Sequence, residues 1–101
     1  MTMKINVLQP LNDYEGSPLM ENKKPVLLRS VIISALNYTQ KDGKQPTADE
    51  KMELYQLSVK VWTMDEVELS AEQIAKIKTN TAEMFAPLVA GQACLILEGK
   101  K

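Results

Sequence analysis

At 101 residues the chain is long enough for one domain and too short for two. Hydrophobic residues make up 45% and charged residues 25%, the balance of a globular domain that can build a core without disulfides or metal. Net charge is −1, from 12 basic and 13 acidic residues, and Arg29 is the only arginine; this disfavours nucleic acid, which is held by several phosphates neutralised together and read largely by arginine.

Met3, Ile5 and Val7 alternate with Lys4 and Asn6, which predicts a short half-buried strand ending before Pro10. Asp13-Tyr14-Glu15-Gly16 supplies turn chemistry, and Ser17 to Met20 can return as a second strand. Residues 3–20 are therefore expected to form a hairpin, which must pack on helices because a lone hairpin is marginal in water. Glu21 to Lys24 is a polar link, and Pro25 suits the first position of a helix over residues 26–39. There Leu27, Val31, Ala35 and Tyr38 share a face. The run Val31-Ile32-Ile33 also fits a strand; helix is the favoured assignment. Gln40 to Pro46 is the most loop-like stretch.

Thr47 and Glu50 form a T-x-x-E capping box that starts a helix over residues 47–63. Apolar residues cover most of its circumference, so it is expected at the centre of the domain with neighbours on several sides. Met64 to Leu69 reads as a short acidic break. Ser70 and Gln73 make a second capping box, flanked by Leu69 and Ile74 at the staple positions, and predict a helix over 70–85 with a single buried face. Pro87 opens a last helix over 87–98, with Gly99 just past its end. Only Gln92 is strongly polar within Leu88–Leu97. Gly91 inside that helix costs about 1 kcal/mol relative to Ala, a cost usually offset by close approach of another backbone. This helix is expected either in the core or as an oligomer seam.

The residues that carry most chemistry are missing. There is no histidine, which removes His-dependent triads and His-ligated metal sites. Cys94 is the single cysteine, so no internal disulfide or thiolate metal cluster forms, a usage that fits a reducing cytoplasm; in an apolar helix it is expected to be inert. The glycines are scattered and match no phosphate-binding loop. Asp49-Glu50 and Asp65-Glu66 read as helix-end charges rather than acid–base pairs. The first residues, MTMKINVLQPL, lack the pattern of a signal peptide, and no run reaches the ~18 apolar residues of a membrane span. No catalytic residue, cofactor site or metal site is expected.

The segments Lys4 to Leu11 (K-I-N-x-x-x-P-L), Asp13 to Leu19 (D-Y-E-G-x-P-L), Ala35-Leu36, Asp65 to Lys78 and Pro87 to Gln92 resemble those of small, mostly uncharacterised proteins of tailed bacteriophages and prophages. The resemblance implies a phage or prophage origin and carries over no site residue.

The sequence thus predicts a mainly α (α+β) domain: a short N-terminal hairpin packed on about four helices. The leading expectation for function is a non-enzymatic accessory protein in the cytoplasm of a bacterial host, acting on another protein as a regulator, inhibitor or assembly factor. Trp62, Leu88, Gly91 and Leu95 are the candidate partner-binding residues, with self-association through the last helix as one use of them. The alternative is a helix-turn-helix regulator whose helix at 70–85 would present Lys76, Lys78, Thr79 and Asn80 to DNA.

Overall fold

The computed structural model describes residues 2–38 and 46–99. In chain order these form β1 (Thr2–Asn6), β2 (Met20–Glu21), β3 (Lys24–Pro25), α1 (Leu28–Leu36), α2 (Ala48–Thr63), β4 (Glu66–Ser70), α3 (Ala71–Met84) and α4 (Pro87–Leu97). The class is the expected one, four helices with a short antiparallel pair of strands. The loop expected at Gln40 to Pro46 lies outside the described residues apart from Pro46.

The second strand of that pair comes from a different place. β1 pairs antiparallel with β4, in the register Met3↔Leu69, Lys4↔Glu68, Ile5↔Val67, and not with a return strand at Ser17 to Met20. The physical reason is visible in Glu66-Val67-Glu68-Leu69. Val67 and Leu69 are buried and the two glutamates exposed, so these residues alternate as a half-buried strand does. They supply the apolar partners that Met3 and Ile5 need, and Glu68 lies opposite Lys4 on the outer face.

Residues 9–27 instead form a compact excursion. Leu11, fully buried, donates its N–H to the Val26 carbonyl and accepts from Leu19 N–H. The Asp13 turn is present as expected: its carboxylate accepts from Glu15 and Ser17 N–H, and Gly16 has φ +88°. Glu21 to Lys24 is more than a polar link. Asn22 and Lys23 both have positive φ, the combination of a two-residue type I′ turn, and close the small β2–β3 hairpin. Pro25 therefore belongs to β3, and α1 starts three residues later, without a side-chain cap.

The larger correction concerns rank. The helices pack as a row, α2 on α1, α1 on α3, α3 on α4. The inner members are α1 and α3. In α1, Leu28, Val31, Ile32, Ala35 and Leu36 are buried, each worth about 1.5–3 kcal/mol of transfer for the larger side chains. The Ile33 region is helical, so the strand option for Val31–Ile33 is not taken. α3 buries Ile77, Asn80 and Thr81 and has helices on two sides, not one. α2, expected at the centre, buries only Leu57 and Val61 and lies at an end of the row.

Candidate functional site

The outward side of α2 is the feature that the fold leaves unexplained. The Thr47–Glu50 capping box fixes its start, with Glu50 N–H donating to Thr47 Oγ1. Leu57 and Val61, one turn apart, anchor it to the core. On the opposite side Met52, Tyr55, Val59 and Trp62 fall at 3-4-3 spacing, within about 80° of helix surface. They are 56%, 64%, 41% and 64% exposed, and Met64 continues the stripe beyond the helix end. Together they present on the order of 400 Å² of apolar surface, a size at which an exposed patch is often functional.

One polar side chain shapes the C-terminal end of this stripe. Arg29, at the start of α1, donates from Nε to the Val61 carbonyl and from Nη2 to the Met64 carbonyl, both at 2.8 Å. These carbonyls lie at the α2 C-terminus, where a cation is favoured by the helix dipole. The same guanidinium lies 5.7 Å from the centre of the Trp62 ring. The only arginine of the chain is thus used for holding α2 and Trp62 in place. Beside Trp62 an open groove of about 410 Å³ runs between the β2–β3 turn and the start of α1. Trp, Tyr, Met and Arg are the residue types enriched at the cores of protein–protein interfaces.

The other candidate residues lie at the far end of the row. Leu88, Gly91 and Leu95 share a face of α4; Leu88 is half-buried, while Gly91 is exposed and Leu95 is 44% exposed. The helix is only partly buried in the core. Ala93 and Leu97 are buried, and Gln92 ties α4 to the N-terminal segment by accepting from Asn12 N–H and donating to the Asn12 carbonyl. The close backbone approach expected at Gly91 is not made within the chain: a Cβ there would meet nothing within 4 Å. α2 packs on α1, α4 packs on α3, and the two outer helices make no substantial contact with each other, so Trp62 and the α4 residues form two surfaces, not one.

The residues that a DNA-reading α3 would need are largely engaged. Asn80 is buried and donates to the Ala35 carbonyl at the end of α1. Lys78 reaches the Glu98 carboxylate at 2.9 Å, and Thr79 bonds back to the Ala75 carbonyl. Lys76 alone of the four is an exposed cation.

Cys94 is half-buried. Desolvation raises its pKa above the ordinary 9.0, with Lys78 lowering it and Glu98 raising it further. The thiol stays protonated at neutral pH, as expected of a structural cysteine. Among the described residues no group of three or more acidic or Cys side chains could hold a metal ion, and no helix is long and apolar enough to cross a membrane.

Sequence reasoning found Trp62 but missed its neighbours on the stripe. Met52, Tyr55 and Val59 carry the same 3-4 periodicity as a buried helix face, so their spacing alone points equally to core. The signal was the excess: α2 has more apolar residues than one buried face can use. No protein family, curated protein or solved structure matches this chain.

Proposed function

We propose that the chain is a non-enzymatic accessory protein that works by binding other proteins. The observation that supports this is the outward apolar stripe of α2, with the exposed Leu95 of α4 as a second, smaller apolar point. A core of this size has no need of an exposed Trp, Tyr and Met on one stripe, and the stripe has the residue types of a binding hot spot. The lack of histidine favours binding over catalysis.

The resemblance to small proteins of tailed bacteriophages and prophages supports a role in the bacterial host cytoplasm. There the partner would be a host protein that is regulated or inhibited, or a virion protein whose assembly is assisted. The test is a tagged pull-down from nuclease-treated host lysate, with and without infection, using wild-type chain, Trp62→Glu and Leu95→Glu. The reading expects a stoichiometric partner that is lost with at least one of the two substitutions. A partner indifferent to both substitutions, or a low-salt gel shift with nucleic acid and no protein captured, would contradict it.

A further inference from the structure

We propose that the α2 stripe is the self-association face of this chain, closed by a second copy whose α2 runs antiparallel to the first. The reason is that the stripe is complementary to itself read backwards. Met52, Tyr55, Val59 and Trp62 occupy a, d, a and d positions of a heptad. A two-fold axis through the middle of the helix, level with Leu57, sets Met52 against Trp62 of the second copy and Tyr55 against Val59. Each of the four layers then joins one large side chain to a smaller one, as close packing of facing positions requires. A parallel pair would instead stack Trp62 on Trp62 and Tyr55 on Tyr55.

Charge selects the same direction. The first half of α2 carries Asp49, Glu50 and Glu53 against the single Lys51. The second half carries Lys60, and Arg29 lies over Trp62 to add another cation. Antiparallel pairing lays each acidic half on a basic half and opposes the two helix dipoles; parallel pairing joins like to like. A two-fold contact needs one patch to fit itself, and this patch does.

The area sets the strength. Two stripes of on the order of 400 Å² each, with their flanks, cover about 1,000 Å², the lower limit for a specific interface. The association is therefore weak, and it is read over a concentration range. The α4 faces, at the far ends of the two rows, remain outside the contact. The proposal goes beyond the reading of the chain as a protein-binding module. It is tested on purified protein alone, so its outcome is independent of any captured partner.

Sedimentation from about 1 μM to about 1 mM is expected to show a monomer–dimer equilibrium, weakened at least about tenfold by Trp62→Glu and unchanged by Leu95→Glu. Circular dichroism of Trp62→Glu is expected to match wild type. The direction is tested by disulfide formation in a Cys94→Ser background. Gln56 lies beside the proposed axis, so Gln56→Cys is expected to form a linked dimer. Met52→Cys is not, because its two copies sit at opposite ends of the stripe. A chain that stays monomeric to about 1 mM overturns the proposal. So does a dimer lost with Leu95→Glu and kept with Trp62→Glu, or a link at Met52→Cys in place of Gln56→Cys.

Discussion

Arg29 does three things with one side chain. It satisfies two carbonyls at the end of α2, lies against Trp62, and joins the first turn of α1 to a helix more than thirty residues on. Its ion pair with Asp65 is long and exposed and adds little. Arg29→Ala is expected to lower stability by about 1.5–3 kcal/mol, the range for hydrogen bonds from a charged group, in urea unfolding. Arg29→Lys is expected to restore only part of this, since a single ammonium cannot span two carbonyls and cover a ring. The glycines within α4 and just past its end give a paired test with opposite signs. Gly91 is helical with open space at its Cβ, so Gly91→Ala should raise stability by about 0.5–1 kcal/mol. Gly99 has φ +79° and a Cβ there would come to 2.8 Å from the end of Met3, so Gly99→Ala should lower it. Cys94 should react slowly with a thiol reagent at neutral pH. Its raised pKa also has a consequence for stability: the unfolded thiol ionises first, so a contribution complete below pH 9 is lost as pH rises beyond it.

At the scale of elements, what could be read from the sequence was whatever is decided locally. Both capping boxes are formed with their side chains reciprocally bonded, and Pro87 opens α4. A cap is a contact between residues three apart, so the sequence contains the whole interaction. Ser70→Ala is therefore expected to cost about 1 kcal/mol, and because Ser70 also ends β4 the loss should be global rather than a fraying of α3, as hydrogen exchange would report. β4 was harder to see. Its alternation spans four residues among acidic neighbours, and its partner strand lies some sixty residues away, so no local signal joins Ile5 to Val67. The Asp13 turn was legible and the Asn22-Lys23 turn was not, for a related reason: Gly16 announces a positive φ, whereas Lys23 adopts one without a sequence cue. The site was legible in part. Trp62 stood out as an aromatic near a helix end, where its indole N–H can reach solvent. Yet α2 was assigned to the centre because a helix apolar all round satisfies two situations equally, enclosure by its own domain or cover by another chain.

At the scale of the whole molecule, the row of helices separates two tasks. α1 and α3, with the β1–β4 pair, hold most of the buried apolar residues. α2 and α4 cover them with one side each and turn their other sides outwards. Substitutions should divide accordingly. Ile77→Ala or Leu69→Ala, at fully buried positions, is expected to cost about 2–5 kcal/mol in thermal or urea unfolding, while Tyr55→Ser should change stability by less than about 1 kcal/mol and be felt in association instead. The central claim is that this fold leaves the outer face of α2 bare and that protein covers it. Trp62 is the only tryptophan, and it stands in that face, so acrylamide quenching of its fluorescence reports on the face directly. Strong quenching, as for a ring about two-thirds exposed, is expected at the lowest concentrations, falling as the chain is concentrated or as a captured partner is added. A Trp62 already shielded in the dilute monomer, or one that stays equally open under every condition, would contradict the account.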